Sequence, residues 1–180
     1  MHIDLCAYPA LWVVCAVRRQ QCGGCWSFAA TGAIEGAFAI GGGSLTSLSE
    51  QQIISCDYAS EGCKGGSPGQ AFSWVATGNP LCAEEDWPYT STSGASRGRC
   101  SSTCKPVVSV ADFHEIVHDE DGMVTATSKQ PIAASVVASS SLFQLYHSGI
   151  FDDASCGSHT QVDHAVRLMA CCVPATLAPL

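Results

Sequence analysis

The sequence predicts an α+β fold in which a helical half precedes a β-rich half. Three observations lead to this class. Apolar and small residues recur at helical spacing over residues 26–40, and two shorter segments beyond them open with helix-capping sequences. A β-rich composition begins only at about residue 107.

The first helix is predicted from the spacing of its apolar and small residues. These are Trp26, Ala30, Ala33, Ala37 and Ile40. Because most of them are alanine, we expect other elements to pack close to the helix backbone. Gly23 and Gly24 suit a tight turn ahead of the helix, which puts Cys25 at or near its first position. There the unpaired amides and the positive end of the helix dipole favour a thiolate over a thiol.

Two shorter helices are predicted from their capping residues. Three glycines at 41–43 end the first helix. Ser49 is a typical N-cap with a glutamine three residues on, which predicts a short helix through Cys56. Ser67 is the N-cap of a third helix whose first residue is Pro68, and Gly78 ends it.

The later part of the chain is predicted to be mostly extended. Residues 107–117 are β-rich, and a short amphipathic helix is predicted over residues 119–129. A strand over 131–137, a strand-like turn over 144–151 and a strand over 162–166 follow.

Composition limits the class of protein. With 180 residues and 47% apolar content, the chain can form one domain or two small lobes around a shared cleft. The net charge of −8 argues against nucleic acid or an anionic membrane surface as a partner. Twelve cysteines indicate an oxidising compartment with several disulfides, the alternative being a cytosolic protein with many buried thiols.

The pair Cys22 and Cys25 is the feature most informative about chemistry. On its own, a C-x-x-C pair is typical of a disulfide, a metal half-site or a redox pair. The run Cys22-Gly-Gly-Cys25-Trp26, however, resembles the C-G-[SA]-C-[WY] signature around the nucleophile of the papain-like cysteine peptidases. Only Gly24 departs from this signature, and it is small like the serine or alanine that it replaces.

Further segments resemble the same family, in its cathepsin L-like branch and in the same order. Residues 13–20 resemble the G-A-V-T-P-V-K-x-Q segment, 48–56 the L-S-E-Q-x-L-x-x-C segment, 62–66 the G-C-x-G-G loop and 162–166 the V-D-H-A-V strand. The resemblance covers about residues 13–169.

The resemblance implies a papain-like two-lobe fold, with a helical lobe, an incomplete β-barrel lobe and the active site in the cleft between them. Residues 1–20 form an altered N-terminal segment, either a signal-like stretch or a degenerate first strand. Residues 21–112 form the helical disulfide-stapled lobe, and residues 113–180 form a partial β lobe. The family's orienting asparagine follows its histidine, whereas the only asparagine here is Asn79. We therefore expect a chain that is altered at its N-terminus, truncated at its C-terminus and weakened in activity.

Catalytic roles follow from the resemblance. Cys25 attacks the scissile carbonyl as a thiolate, and His164 pairs with it as an imidazolium and later protonates the leaving amine. His164 follows Cys25 at the spacing of about 130–150 residues that is typical of the family. The backbone amide of Cys25 and a glutamine hold the oxyanion. Deleting one glycine from the family pattern makes Gln20 that glutamine, since Arg19 stands at the usual position.

The resemblance also implies substrate-binding positions and disulfides. The substrate-binding residues are Gly23, Gly65, Gly66, Pro68, Ala134, Ser135, Val162 and Asp163. Those around the pocket for the residue two before the cut are apolar or small, so we expect an apolar residue there. The implied disulfides are Cys22–Cys63 and Cys56–Cys100, with Cys82–Cys104 as an extra pair. Cys156 is left without a partner, and Cys6, Cys15, Cys171 and Cys172 are unassigned.

The predicted protein is a lysosomal, vacuolar or extracellular monomer that needs no cofactor or metal and binds neither nucleic acid nor membrane. Its partners are peptide or protein substrates and the prosegments and protein inhibitors of the family. One alternative is a catalytically silent relative that binds peptides along Gly65 and Gly66. A thiol–disulfide oxidoreductase using Cys22 and Cys25 is disfavoured, because no βαβ pattern precedes the motif. A zinc module is also disfavoured, because no second metal half-site completes it.

Overall fold

The computed structural model of the protein describes residues 11–14, 21–93, 97–101, 103–117, 119–148, 151 and 161–170. Five helices and five strands lie in these ranges: β1 Leu11–Val14, α1 Cys25–Ile40, α2 Glu50–Cys56, α3 Pro68–Ala76, β2 Leu81–Cys82, β3 Pro106–Val108, α4 Glu120–Thr127, β4 Ile132–Val136, α5 Ser141–Gln144 and β5 His164–Ala170. Short 3₁₀ turns lie at Gly62–Lys64 and Ser91–Ser93.

Helix α1 begins at Cys25 and ends before the glycines at 41–43, as its sequence predicts. Trp26, Ala30 and Ala33 are buried, so the first half of the predicted stripe faces the core. Ile40 is 63% exposed, contrary to its place in that stripe. It is the last helical residue, at the end where the helix projects beyond the core.

The two shorter helices begin at the predicted caps. The Ser49 hydroxyl accepts a hydrogen bond from the Gln52 amide at 3.0 Å and donates one to the Trp87 carbonyl at 2.6 Å. The Ser67 hydroxyl accepts a hydrogen bond from the Gly69 amide at 3.2 Å. In both helices the hydroxyl satisfies an amide that has no partner within the helix.

Two antiparallel sheets accompany the helices. In the larger sheet β5 is central, with β1 on one side and β4 on the other. His164 pairs with Val136 at one end of the β4–β5 ladder, and Leu168 pairs with Ile132 at the other. Strands β2 and β3 form a short separate pair.

Two stretches differ from the predicted strands. Only Pro106–Val108 of the β-rich stretch is a strand, because Val110, Phe113 and Ile116 line a cavity instead of joining a ladder. β propensity alone does not make a strand where no neighbouring strand is available for pairing. The predicted strand-like turn at 144–151 begins with the end of helix α5, where the Gln144 amide donates to the Ser140 carbonyl at 3.0 Å.

Buried residues form two clusters. The larger contains Trp26, Ile53 and Val75 from the first three helices, and it also includes Ala165 of β5. The smaller lies between α4 and the β4–β5 pair and contains Met123 and Leu168. Strand β5 therefore contributes to both clusters.

Three disulfides join residues of the helical part: Cys22–Cys63, Cys56–Cys100 and Cys82–Cys104. The first two are the pairs that the resemblance implies, and the third is the predicted extra pair. Each stabilises the fold by about 2–4 kcal/mol, chiefly by restricting the unfolded chain. Within the described part of the chain, no helix is long and apolar enough to cross a membrane.

Candidate active site

A tethered turn precedes Cys25. The Gly23 amide donates to the Cys63 carbonyl at 2.8 Å, next to the disulfide between Cys22 and Cys63. A Cβ atom on Gly23 would lie 3.0 Å from that carbonyl oxygen, and one on Gly24 would lie 2.9 Å from a methyl carbon of Ile54. Neither glycine has a positive φ, so close approach and not turn conformation requires glycine at both positions.

The loop after Cys63 packs on the first turn of α1. The fully buried Trp26 donates from its indole nitrogen to the Gly62 carbonyl at 3.2 Å. A Cβ atom on Gly66 would lie 2.6 Å from two atoms of the same indole. Gly65 has a φ of 131°, which favours glycine. Gly65 and Gly66 are themselves accessible. A Cβ atom on Gly23, two residues before Cys25, would lie 3.6 Å from the Gly65 nitrogen.

Cys25 is the first residue of α1 and is half-buried. Among the described residues it is the one cysteine outside a disulfide. The amides of Ser27 and Phe28 donate to the Gly24 carbonyl, at 2.9 and 3.3 Å, so the first intrahelical bonds form after Cys25. The amide of Cys25 precedes them at the positive end of the helix dipole, where it can stabilise a thiolate or an oxyanion.

The strand that begins with His164 runs beside α1. Ala165 shares the buried cluster of Trp26 and Ala29. The Arg167 side chain lies against Gly32, where a Cβ atom would be 2.7 Å from its Nη1 atom.

A third contact fixes the direction of the strand. Pro131 directly precedes Ile132, which pairs with Leu168 of β5, and it packs on Gly36 of α1. The contacts therefore occur in the same order along α1 and β5, which means that the two elements run in the same direction. Cys25 and His164 are the first residues of these elements, and they stand at the same end of the pair.

Asp163 fixes the start of β5. Its amide donates to the Val136 carbonyl at 3.1 Å, and its carboxylate accepts the amides of Ala138 and Ser139 at 2.7 and 3.1 Å. Burial raises the pKa of this carboxyl, but the hydrogen bonds from Ser139 and Ala138 and the charge of His164 outweigh it and lower the pKa below its ordinary value. The side chain predicted to bind substrate thus supports the loop beside His164.

The half-buried His164 has a pKa below its ordinary value, because burial disfavours the imidazolium more than the neighbouring Asp163 favours it. A thiolate near the ring would favour the imidazolium in the same way as Asp163 does.

An apolar cavity of about 730 Å³ adjoins the accessible Gly66 backbone. Four predicted substrate-binding residues line it: Gly66, Pro68, Ser135 and Val162. Ala134 does not, because neighbouring strand residues face opposite sides of a sheet. Its side chain is 2% exposed and belongs to the smaller core, and Ala133 lines the cavity in its place.

Three carboxylates cluster behind α1. The Glu50 carboxylate accepts the Thr31 hydroxyl at 3.1 Å, and Glu84 and Glu35 lie close enough to raise its pKa further. Burial is the largest cause, and with the two carboxylates it outweighs the backbone and Thr31 hydrogen bonds, which lower the pKa, so that the pKa of Glu50 rises to about 7. Arg167 lies at the edge of this cluster, 3.9 Å from Glu35.

Sequence reasoning missed Gly32, Glu35 and Arg167, which join α1 to β5. The available signal was a lone arginine inside the otherwise apolar run of β5. The predicted Gln20 lies outside the described residues, as do Cys6, Cys15, Cys156, Cys171 and Cys172. Asn79 lies beyond the end of α3, where its side-chain amide donates to the Trp74 carbonyl at 2.8 Å.

Comparison with known proteins decides the family. Residues 4–171 match the papain family of cysteine proteases. The chain belongs to this family. It is 39% identical over 160 residues to Cysteine protease 1 of Oryza sativa subsp. japonica, a match that covers 86% of this chain and 31% of that protein. It is 37% identical over 159 residues to Zingipain-2 of Zingiber officinale, covering 87% of this chain and 69% of that protein.

A solved structure confirms the papain-like α+β fold. The Carica candamarcensis cysteine protease CMS1MS2, crystallised in complex with E-64, superposes with a TM-score of 0.72 at 31% identity. The match covers 89% of this chain and 76% of that one. The papain-family chain described here spans 31% of the length of the rice relative.

Proposed function

We propose that this papain-family chain is a cysteine-type endopeptidase that uses Cys25 and His164. The observation that carries this proposal is the alignment of α1 and β5, which puts the free thiol of Cys25 and the imidazole of His164 at the same end of two packed elements.

The reaction begins when the Cys25 thiolate adds to the scissile carbonyl carbon and the carbonyl oxygen becomes an oxyanion. The amide of Cys25 lies where it can donate to that oxyanion, and Gln20 is the proposed second donor. His164 protonates the leaving amine as the carbon–nitrogen bond breaks, which leaves a thioester on Cys25. Water then attacks the thioester, His164 takes its proton, and the acid product and the thiolate separate.

The two charges of the proposed pair stabilise each other. Burial lowers the pKa of His164, and a negative charge beside the ring opposes that shift. A thiolate at the start of α1 gains from the helix dipole and supplies the negative charge that an imidazolium needs. The pair is therefore expected to exchange one proton between sulfur and nitrogen.

The cavity supports a preference for an apolar side chain two residues before the cut. Pro68, Ala133 and Val162 line it with apolar atoms, and the accessible backbone of Gly65 and Gly66 runs beside it. An extended peptide can form ladder hydrogen bonds with such a backbone while one side chain enters the cavity.

Proposed partners and localisation follow from the family. They are peptide or protein substrates, and the prosegments and protein inhibitors of papain-like peptidases, bound by a monomer. Three disulfides are typical of an oxidising compartment, which supports a lysosomal, vacuolar or extracellular location. The redox alternative is disfavoured, because Cys22 is joined to Cys63 and not to Cys25.

The test is the site-resolved reactivity of Cys25. Purified protein is treated at about pH 6 with E-64, the inhibitor in the Carica complex, and labelled cysteines are mapped by mass spectrometry. We expect Cys25 to react first and His164→Ala to abolish this selectivity. Unchanged selectivity in His164→Ala would contradict the Cys–His pair. Selective labelling without cleavage of a peptide that carries leucine two residues before the cut would favour the silent, peptide-binding alternative.

A further inference from the structure

Arg167 is an unusual residue for its position. It is the one charged residue of β5, and it pairs across the ladders with Val14 and Ala133. Its side chain is 30% exposed, and among the described residues its Nε atom is buried without a hydrogen-bond partner. A buried guanidinium nitrogen without a partner costs free energy, so the arginine needs a compensating role.

The contacts of Arg167 are with α1. Its guanidinium and Cδ atom lie over Gly32, where a Cβ atom would be 2.7 Å from Nη1 and 2.9 Å from Cδ. Its Nη1 atom is 3.9 Å from a carboxylate oxygen of Glu35, three residues along the helix. The other oxygen of Glu35 accepts the Leu48 amide at 2.8 Å. Glu35 therefore also holds the segment that leads into α2.

The contact between Arg167 and Gly32 lies at about the same distance from the start of β5 as from the start of α1. Gly32 is two helical turns beyond Cys25, a rise of about 10 Å. Arg167 is three strand residues beyond His164, also a rise of about 10 Å. A side chain fixed at Gly32 therefore brings His164 level with Cys25.

We propose that Arg167 is a positioning residue, which sets the register of β5 against α1 through Gly32 and Glu35 and so holds His164 level with Cys25. This inference rests on the proposed function of Cys25 and His164. The acidic group that faces Arg167 is Glu35 on α1, and Glu50 and Glu84 lie close to Glu35. Asp163 lies at the start of the strand, beside His164.

Four variants test the inference: Arg167→Met removes the charge, Arg167→Lys keeps it, Arg167→Met with Glu35→Gln also removes the partner charge, and Lys129→Met is the matched control. Lys129 follows α4 and is exposed, so its replacement removes one positive charge at the surface. The rate at which iodoacetamide alkylates Cys25 is measured between pH 4 and pH 9, and thermal stability is measured in parallel.

We expect Arg167→Met to slow alkylation at about pH 6 by tenfold or more, because a misplacement of about 1 Å costs up to about 10²-fold. Its pH profile should differ from that of the parent in the same way as the profile of His164→Ala. Arg167→Lys should stay within about threefold of the parent, and Lys129→Met should match the parent. Arg167→Met combined with Glu35→Gln should be no slower than Arg167→Met alone, because both act through one contact.

Failure of this inference is distinct from failure of the proposed function. If Arg167→Met only lowers thermal stability and keeps the pH profile of the parent, while His164→Ala loses selectivity, Arg167 has a structural role only. If His164→Ala also keeps that profile, the proposed pair itself is wrong. If Arg167→Met does not fold, Gly32→Ala is tested in its place, because its Cβ atom displaces the guanidinium without changing the charge. A parental profile in Gly32→Ala would then overturn the inference.

Discussion

At the scale of single residues, the structure shows why glycine stands where the family signature has serine or alanine. Gly24 leaves room for Ile54 of α2, whose methyl carbon occupies the place of a side chain. Gly23 leaves room for the Cys63 carbonyl, which accepts its amide. The turn before Cys25 is thus held by contacts to α2 and to the 3₁₀ turn. Its position depends on packing more than on backbone conformation.

Gly66 gives a prediction of the same kind. Gly66→Ala should lower the free energy of unfolding by about 1–3 kcal/mol, because the added Cβ atom would overlap the indole of Trp26. Trp26 is fully buried, so its indole has no free space to move into. Gly69→Ala is the matched control, since its Cβ atom would meet only the Ser67 hydroxyl, at 3.5 Å. Urea unfolding midpoints measure both, and equal midpoints would contradict the close contact.

Glu50 makes stability depend on pH. Its pKa is about 7 in the folded protein and near 4.5 when unfolded. Between these values the folded protein holds a proton that the unfolded chain has released, so stability falls as pH rises through this window. Glu50→Gln should be more stable than the parent at pH 8, by about 1–3 kcal/mol, and nearly equal to it at pH 4.5.

Urea unfolding at the two pH values measures this difference. The exposed Glu85 supplies the control, since Glu85→Gln should leave the pH dependence unchanged. A stability gain in Glu50→Gln that is the same at both pH values would show that burial does not shift its titration.

At the scale of elements, features that neighbouring residues decide were predicted from the sequence, whereas features that depend on contacts between distant residues were not. The caps at Ser49 and Ser67 are decided by three or four neighbouring residues, and the structure has both. The motif around Cys25 likewise predicted the start of α1. In contrast, Gly32 and Gly36 look like weak points of a helix until Arg167 and Pro131 are placed on them.

The apolar cavity beside Gly66 shows the same limit. The resemblance named Ala134 and Ser135 together, but only the register of β4 decides which of two neighbours faces the cavity. Similarly, the β-rich stretch at 107–117 is strand only where β2 offers a partner, and its later residues cover the cavity. Pairing between distant segments cannot be read from local composition.

Two caps that look alike in sequence should differ in strength. Ser49 is fully buried and makes two hydrogen bonds, one to the Gln52 amide and one to the Trp87 carbonyl. Ser49→Ala should therefore cost about 2 kcal/mol or more, because it leaves both groups without that partner. Ser67→Ala, at an exposed cap, should cost about 0.5–1 kcal/mol. Equal losses of unfolding free energy would show that burial does not distinguish the two caps.

At the scale of the whole molecule, the two cores are stabilised in different ways. The three disulfides of the described residues all join residues between 22 and 104, around the larger core. The smaller core rests on β4, β5 and α4 without one in the described part. Helix α1 and strand β5 join the two parts and each begins with a proposed catalytic residue, so the site depends on both cores.

The disulfides allow stability and site geometry to be separated. Cys22–Cys63 closes 41 residues and Cys82–Cys104 closes 22, so loss of either should cost about 3–4 kcal/mol through the unfolded chain. Only the first borders Cys25, through the turn that Gly23 ties to Cys63.

We therefore expect two double variants to unfold at similar urea concentrations but to differ at the site. In Cys22→Ala with Cys63→Ala the turn before α1 loses its covalent tether, and alkylation of Cys25 by iodoacetamide at about pH 6 should slow by about tenfold. In Cys82→Ala with Cys104→Ala, which opens only the end of the β2–β3 pair, the rate should stay within about twofold of the parent. Both rates are measured well below the unfolding midpoint, so that only folded protein reacts. Equal slowing in both variants would mean that the site responds to global stability. No slowing in the first would mean that packing of Gly23 and Gly24 holds the turn without the disulfide.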